Sequence, residues 1–379
     1  MLEQMNSGLI IFSKSIKRKI KGFDKLGNNL EDIKNTILNS AFVESKKYKI
    51  KHYNVSGGHF KQFYSRDFGM IVNGLLHLGY VKEVHSTIKY LLKVYKNNNK
   101  ITTTISNDKP INFFNNSPDS LPFIFRSIRL ALSEGFDKKE ILKYKKFLQE
   151  QIKNYYEEFW DFDKYLIYKD KEFGSSKDHY IRKSSSYDNS AAIGLSIEIR
   201  KINLIFKEII FKSPLNIRKA KKGFLDEFWN GEYFFDDLLK KEYVASDANI
   251  MPFYWNIFSD KDMKVKAMKS INKEKLDSIL PVQYTNFRDK DRELFWPELF
   301  APNYEGDSYW LHIGICYLEV LKDVDNKNFK RNLNNVKKMI LKYQNFLEVF
   351  DKSGKPYSSP FYHCDEYMTW IAGFYYLFN

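Results

Sequence analysis

The sequence predicts an all-α protein, an (α/α)6 barrel of six helical hairpins with minor β-hairpins in its loops. Apolar residues recur at helical spacing in twelve segments of the 379-residue chain. These segments alternate between ones with a single apolar stripe and ones that are apolar nearly all round. No Pro- or Gly-rich linker divides them, so we expect one barrel over 1–379, with 1–28 as an N-terminal extension or outer segment.

The half-exposed segments carry broad charged faces, as in KKEILKYKKFLQEQIKNYYEEFW, and are predicted to form an outer ring. They are 29–45, 82–97, 138–159, 216–229, 260–272 and 327–346. The segments that are apolar all round are predicted to form the buried inner ring. They are 66–78, 120–134, 189–206, 249–258, 308–324 and 365–378. A multi-domain bundle or an α-solenoid is the alternative, but the segments share no repeat of fixed period.

Two short stretches, NKITTTI and EYFFDDL, have strand composition and predict hairpins in the connecting loops. The remaining parts of the chain between the twelve helical segments are predicted to be loops. The loops at 98–119, 160–187 and 273–307 are the longest, and they are expected to shape any binding site.

Composition excludes several classes of protein. Hydrophobic residues make up 43% of the chain and aromatic residues 17%, which is too rich for disorder. The net charge of +14 comes from lysines spread over the whole length, which is typical of solvated helix faces rather than of a nucleic-acid interface. The two cysteines, Cys316 and Cys364, have no metal-ligand spacing. No apolar run reaches about 18 residues, so we expect no membrane partner. We also expect a cytoplasmic protein with no cofactor, no metal and no nucleic-acid partner.

An aspartate stands at or just before the start of each predicted inner helix. These residues are Asp67, Asp119, Asp188, Asp247, Asp307 and Asp365. Parallel inner helices would gather them at one end of the barrel, although capping explains each one separately. Arg66 and the aromatic residues Tyr64, Tyr187 and Trp310 lie beside them in sequence. Carboxylates accept hydrogen bonds from hydroxyl pairs and aromatic rings stack on C–H faces, so this composition indicates a sugar-binding mouth.

These residues resemble the six-hairpin glycosidases, inverting enzymes that include glucoamylases, trehalases and neutral invertases. FYSRDFGMIVNGLLHLGY resembles a segment whose Arg-Asp pair holds the sugar, which implies substrate binding by Arg66 and Asp67. FLEVFDKSGKPYSSPFYHCDEYMTW resembles the segment that carries the general base, which implies that role for Glu348. YEGDSYWLHIGICYLEVL resembles a stretch in which a tryptophan borders the sugar, here Trp310.

For the general acid, the resemblance offers two residues. SSYDNS is similar to the Ser-Gly-aromatic-Asp segment of trehalase-like members, with Ser in place of Gly, and it implies Asp188. Glucoamylases use a glutamate upstream of this helix, where the sequence has Asp178. We expect Asp188 to be the acid and keep Asp178 as the alternative. A helix N-terminus lowers the pKa of a carboxyl group, so burial or neighbouring carboxylates would have to raise that of Asp188.

The resemblance implies an inverting glycoside hydrolase that acts on a glucose-containing oligosaccharide or disaccharide, with an α-linkage favoured. The predicted substrate-binding residues are Tyr64, Arg66, Asp67, Asp119, Tyr187, Asp247, Asp307, Trp310 and His363. One alternative is a barrel that binds a glycan without turnover. Another is a phosphorylase, for which Arg288, Arg292 or Lys355 would bind phosphate.

Overall fold

The structure, a computed structural model, describes residues 2–112, 117–171 and 175–378. The helices are α1 (Leu2–Lys21), α2 (Leu30–Ala41), α3 (Ser65–His77), α4 (Val81–Asn97), α5 (Ser120–Ser133), α6 (Lys138–Lys143), α7 (Lys145–Phe159), α8 (Ser186–Phe206), α9 (Ile217–Phe228), α10 (Ser246–Tyr254), α11 (Lys261–Lys273), α12 (Phe295–Phe300), α13 (Leu311–Leu321), α14 (Asn326–Tyr343) and α15 (Ile371–Tyr375). The strands are β1 (Phe42–Glu44), β2 (Lys51–Tyr53), β3 (Phe63–Tyr64), β4 (Thr104–Ser106), β5 (Lys109–Ile111), β6 (Trp160–Asp161), β7 (Leu166–Ile167), β8 (Tyr309–Trp310) and β9 (Val349–Phe350).

Six helices, α3, α5, α8, α10, α13 and α15, pack in sequence into a closed inner ring. Glycine allows the close contacts between them. A Cβ on Gly69 of α3 would stand 2.6 Å from the Cβ of Phe123 on α5. The ring closes where Gly74 of α3 lies against the backbone of Ala372 on α15. Larger residues at either glycine would push two inner helices apart, because the neighbouring atoms cannot give way.

The outer helices α2, α4, α7, α9, α11 and α14 each pack on the inner ring. Helix α9 shows the expected single stripe, because its buried residues are Ala220, Phe224 and Phe228 at intervals of four. By contrast, nearly every residue of the inner helix α13 is buried. The predicted all-α barrel of six hairpins is therefore confirmed, and its core lies within and between the two rings.

Some predicted elements differ from the observed ones. The predicted helix 138–159 is two helices, α6 and α7, which meet at Tyr144. The last inner helix begins at Ile371 rather than at 365. The chain before it is irregular because Asp365 accepts the backbone N–H groups of His59 and Phe60, and Tyr367 has a positive φ of 59°.

The strand prediction was right in one loop and wrong in the other. NKITTTI leads into β4, which pairs antiparallel with both β3 and β5. EYFFDDL contains no strand and makes only an isolated bridge between Trp229 and Phe234. Asn249 bonds the backbone N–H and C=O of Phe234, and arginines bind Asp236 and Asp237. Asn249 therefore takes the backbone groups of Phe234 that a second strand would have bonded.

Helix α1 lies outside the two rings and is anchored by a buried arginine. Arg18 is 3% exposed, and its guanidinium donates to the His363 carbonyl at 2.8 Å and to His59 Nδ1 at 2.6 Å. It also lies 3.4 Å from Asp365 Oδ1. The chain therefore brings its first helix against its last forty residues. Within the described ranges, no helix has both the length and the apolar character needed to cross a membrane.

Candidate active site

A cavity of about 680 Å³ lies at the end of the barrel where the inner helices begin. Its buried end combines acidic and basic side chains with aromatic rings. The lining residues there are Tyr64, Arg66, Asp67, Asp178, His179, Tyr304, Glu305, Trp310, His312, Glu348, Tyr362 and Trp370. Its mouth is apolar and partly exposed. In the described part of the chain, no three His, Cys, Asp or Glu side chains are grouped so as to hold a metal ion.

Glu348 is held in the cavity wall by backbone pairing and by three hydrogen-bond donors. It immediately precedes β9, which pairs antiparallel with β8, so that Val349 faces Trp310. Glu348 Oε1 accepts the Tyr304 hydroxyl at 2.5 Å. Glu348 Oε2 accepts the Tyr362 hydroxyl and the Asp365 N–H. A carboxylate has about four acceptor positions, so one position stays open on Oε1 with respect to the described residues.

The pKa of Glu348 is raised to about 7. Burial is the largest cause, and the negative charge of Asp365 is the second. The hydrogen bonds from Asp365, Tyr304 and Tyr362 oppose the shift because they stabilise the ionised form. Glu348 therefore changes charge close to neutral pH, where an ordinary glutamate would be ionised.

Asp178 lies in the loop before α8 and faces the same cavity. Its pKa is raised to about 8, first by burial and then by the negative charge of Glu305. Arg66 and His179 oppose this shift. Glu305 is fixed nearby because its Oε2 accepts the backbone N–H of His179 at 2.6 Å. Asp178 is consequently protonated at neutral pH and can donate a proton.

The loop that carries Asp178 rests on a buried ion network. Lys177 Nζ lies 3.6 Å from Asp247 Oδ1 and 3.8 Å from Asp236 Oδ2. Arg182 Nη1 lies 2.7 Å from Asp247 Oδ2. Asp247, which we expected to bind substrate, is absent from the described cavity lining and pairs with these cations instead. The network holds the positions on both sides of Asp178 in place.

Arg66 and Asp67 lie at the start of α3 and present polar atoms at the cavity that make no hydrogen bond. Trp370 Nε1 donates to Asp67 Oδ1 at 2.9 Å. Asp67 Oδ2 and Arg66 Nε are buried, have no hydrogen-bond partner among the described atoms, and lie 3.7 Å apart as an ion pair. Arg66 Nη1 lies 3.5 Å from Asp119 Oδ2, and Asp119 also accepts the Tyr187 hydroxyl at 2.8 Å. Asp119 and Tyr187 thus lie behind Arg66 and outside the cavity lining.

His312 presents a third polar atom that has no hydrogen-bond partner among the described atoms. The Tyr284 hydroxyl donates its one proton to the Ser176 carbonyl at 2.7 Å. The contact of 3.1 Å between His312 Nε2 and the same hydroxyl therefore requires the proton on Nε2. Burial lowers the pKa of His312 well below its ordinary value, so the ring is neutral and Nδ1 is an acceptor. Nδ1 is buried without a partner among the described atoms.

Asp188 lies beneath the cavity and is not one of its described lining residues. Ser185 caps α8 by accepting the Asp188 N–H at 3.0 Å, and its hydroxyl donates back to Asp188 Oδ2 at 2.6 Å. The Ser175 hydroxyl donates to Asp188 Oδ1. Burial raises the Asp188 pKa to about 6, although Arg182 and the two serines oppose that shift. Asp188 thus connects the cap of α8 to the loop that carries Asp178.

Two other predicted substrate-binding residues lie away from the cavity. Asp307 bonds Asn303 and lies 3.8 Å from Lys352. His363 stacks on Phe23 at 5.0 Å, and its carbonyl accepts Arg18. Tyr64, Arg66, Asp67 and Trp310 line the cavity as expected from their positions.

Several lining residues were not predicted. The sequence contained a signal for Glu305, which stands two positions before Asp307 in the YEGDSYW segment. It also contained a signal for Trp370, which belongs to the Thr-Trp pair before the last helix. Tyr304 and Tyr362 belong to the same two family-like segments, but no periodicity singles them out, because those parts of the chain are irregular.

Several solved structures with a similar arrangement of helices are glycosidases. A glycosidase variant in complex with glucose superposes with a TM-score of 0.64 at 10% identity, covering 92% of this chain and 94% of that chain. The chain has the six-hairpin fold of these enzymes. A rhamnosidase from Klebsiella oxytoca with rhamnose bound has a TM-score of 0.61 at 10% identity, covering 92% and 63%. Neutral trehalase from Saccharomyces cerevisiae has a TM-score of 0.59 at 11% identity, covering 89% and 75%.

At the level of sequence the comparison is negative. No protein-family model matches the chain, and no curated protein is significantly similar to it. The likeness to the solved structures therefore concerns the fold, and the chemistry has to be argued from the cavity itself.

Proposed function

We propose that this protein is an inverting glycoside hydrolase in which Asp178 is the general acid and Glu348 the general base. The observation that carries the proposal is that these two carboxyl groups line one cavity and have different hydrogen-bonding environments. Glu348 is fixed by two tyrosine hydroxyls and a backbone N–H, whereas Asp178 stands beside a second acid, Glu305. Carboxyl groups held in different environments can divide the acid and base roles.

In the proposed reaction, the Asp178 carboxyl donates its proton to the glycosidic oxygen, and the bond between that oxygen and the anomeric carbon breaks. A water molecule bound at the open acceptor position of Glu348 Oε1 attacks the anomeric carbon from the opposite face and gives its proton to Glu348. The reaction ends with Asp178 ionised and Glu348 protonated. Exchange of protons with solvent restores the starting state.

The sugar would be bound by three polar atoms at the buried end of the cavity that have no hydrogen-bond partner among the described atoms, two of which, Arg66 Nε and Asp67 Oδ2, form an ion pair at 3.7 Å. Asp67 Oδ2 and His312 Nδ1 accept hydroxyl protons, and Arg66 Nε donates. Buried polar atoms without partners are costly, so a ligand that satisfies all three gains affinity there. Trp310 and Trp370 supply aromatic surface beside them. We propose a glucose-containing substrate with an α-linkage, and glucose is the sugar in one of the similar structures.

This assignment favours Asp178 over Asp188 as the acid, since Asp188 has both oxygens bonded to serines beneath the cavity.

A phosphorylase is not favoured. Arg292 pairs with Asp237 at 3.1 Å and with Asp289 at 3.0 Å. Arg288 pairs with Glu298 at 3.0 Å, so both arginines already hold carboxylates.

The stereochemistry of the product tests the proposal. An aryl α-glucoside should yield β-glucose as the first product, observed by proton NMR within the first minutes, and so should the non-reducing half of maltose. Trehalose should yield α- and β-glucose in equal amounts, because its departing half keeps its α configuration. The proposed mechanism predicts inversion because water attacks directly. Formation of α-glucose as the first product from an aryl α-glucoside would overturn it, as would release of glucose 1-phosphate that depends on added phosphate.

The pH dependence of kcat/KM should be bell-shaped, with its maximum between about pH 7 and pH 8. Activity rises with pH through about 7 because Glu348 must be ionised to accept a proton. It falls with pH through about 8 because Asp178 must be protonated to donate one. Initial rates across pH 5 to 10, roughly, give both limbs.

A substrate with an activated leaving group, such as α-glucosyl fluoride, serves as the control for this profile. It needs no acid, so the alkaline limb should disappear while the limb due to Glu348 remains. A profile in which both substrates lose activity alike at high pH would contradict the role given to Asp178.

A further inference from the structure

The mouth of the cavity is built from apolar side chains of three separate segments. We call this set the apolar mouth, and it consists of Ile11, Phe12, Trp296, Pro297, Phe300 and Phe361. Four of these side chains are large and exposed: Trp296 by 67%, Phe300 by 51%, Phe361 by 46% and Phe12 by 42%. A group of exposed aromatic residues that continues into a cavity is typical of a binding surface.

The three segments are tied to one another. The Ser359 hydroxyl donates to the Phe300 carbonyl at 2.6 Å, and the rings of Phe300 and Phe361 pack edge to face at 5.6 Å. Lys19 of α1 donates to the carbonyls of Ser359 and Pro360. Together with Arg18, this contact fixes α1 beside the segment that carries Phe361. The apolar mouth is thus formed before any ligand arrives, which reduces the entropic cost of binding.

The apolar mouth is poorly suited to a second sugar. Its six side chains contain one polar group, the indole N–H of Trp296. Two nearby carbonyls, those of Phe300 and Ser359, are already bonded. A second sugar ring would bring several hydroxyls into this space, and each hydroxyl removed from water without a partner costs binding energy. Among the described lining residues, the polar side chains belong to the buried end, where the first sugar would be bound.

We propose that the substrate is a glycoside whose leaving group is apolar, an alkyl or aryl aglycone that lies between α1 and α12 in the apolar mouth. This inference rests on the proposed function, because the buried end would hold the sugar and Asp178 would protonate the oxygen that joins the sugar to the aglycone. The aglycone replaces water on Phe12, Trp296, Phe300 and Phe361 with apolar contact, which the hydrophobic effect favours.

Chain length provides the kinetic test. With methyl, butyl and octyl α-glucosides below their micellar concentrations, kcat/KM should rise by up to about fourfold for each methylene that enters the mouth. Phenyl α-glucoside tests the aryl form of the same chemistry. Maltose should be a poorer substrate than octyl α-glucoside. Equal kcat/KM along the series, or a preference for maltose, would overturn the inference and leave the hydrolase proposal standing.

A pair of variants on one helix tests the location. Trp296→Ala should reduce the ratio of octyl to methyl kcat/KM by about tenfold. Phe295→Ala is the matched control, because Phe295 is 71% exposed on α12 but does not line the cavity. It should leave the ratio unchanged. Equal effects of the two variants would overturn the placement of the aglycone at the mouth.

A binding measurement separates failure of this inference from failure of the proposed function. Octyl α-glucoside should bind Glu348→Gln, which should not turn it over, more tightly than methyl α-glucoside, with a negative heat-capacity change in calorimetry. Such binding by Glu348→Gln, with no hydrolysis of any glucoside by the wild-type protein, would overturn the hydrolase proposal and support the apolar site. Binding that does not depend on the length of the alkyl chain would overturn this inference. A dimer that is detected by sedimentation and that the Trp296→Ala substitution dissociates would overturn it as well.

Discussion

Replacing Glu348 by glutamine should lower kcat by about 10²- to 10⁴-fold on every glycoside substrate. The amide keeps the size of the side chain and can still accept one of the tyrosine hydroxyls, but it cannot take a proton from water. KM should change little, because Glu348 contacts the attacking water rather than the sugar in the proposed reaction. Steady-state kinetics on an α-glucoside, with the leaving group measured directly, give both values.

A neighbouring glutamate offers the matched control. Glu366 is also buried, but it bonds the Asp24 N–H and Asn345 and does not line the cavity. Glu366→Gln should therefore keep near-normal kcat, and both variants should unfold cooperatively on heating. Full activity in Glu348→Gln would remove that residue from the mechanism.

Replacing Asp178 by asparagine should have an effect that depends on the leaving group. With alkyl or sugar leaving groups, kcat/KM should fall by about 10²- to 10⁴-fold, because the departing oxygen no longer receives a proton. With α-glucosyl fluoride, whose leaving group needs no proton, the loss should be less than about tenfold. Comparing the two substrates in one variant distinguishes an acid from a residue that merely supports the fold.

Asp188→Asn tests the other candidate. Asp188 accepts hydroxyls from Ser175 and Ser185 in a buried site, so we expect a loss of about 1–3 kcal/mol in the free energy of unfolding. Activity should fall similarly for both leaving groups, as expected of a residue that positions the loop. A large loss on alkyl glucosides that disappears with α-glucosyl fluoride would return the acid role to Asp188.

The ring architecture could be predicted because it depends on local patterns. Helices such as α13 are apolar nearly all round, and α9 has one stripe, whatever the rest of the chain does. The break at Tyr144 and the late start of α15 could not be predicted in the same way. The late start depends on the contact between Asp365 and the backbone of His59, more than 300 residues away.

The candidate site was predicted only where a motif carried it. Glu348, Arg66 and Trp310 line the cavity, and each belongs to a segment that resembles a family motif. The pattern of acids at helix starts was less informative, since most of those aspartates make contacts outside the cavity. In the first turn of a helix a carboxylate can turn to its own cap, as Asp188 does toward Ser185. The two hydroxyls that bond Glu348 belong to Tyr304 and Tyr362. Both tyrosines lie in irregular segments, which sequence periodicity does not describe.

The anchoring of helix α1 has a consequence for biosynthesis. Arg18 and Asp365 are 347 residues apart in the chain, and the Asp365 N–H is one of the three donors to Glu348. The ribosome therefore synthesises α1 long before its anchor at Asp365. The loop with Asp178 is therefore synthesised long before Glu348 acquires its backbone donor. Any nascent chain that stops short of Asp365 lacks this completed carboxylate pair, so we expect turnover to begin only after Asp365 has been synthesised and has packed against Glu348.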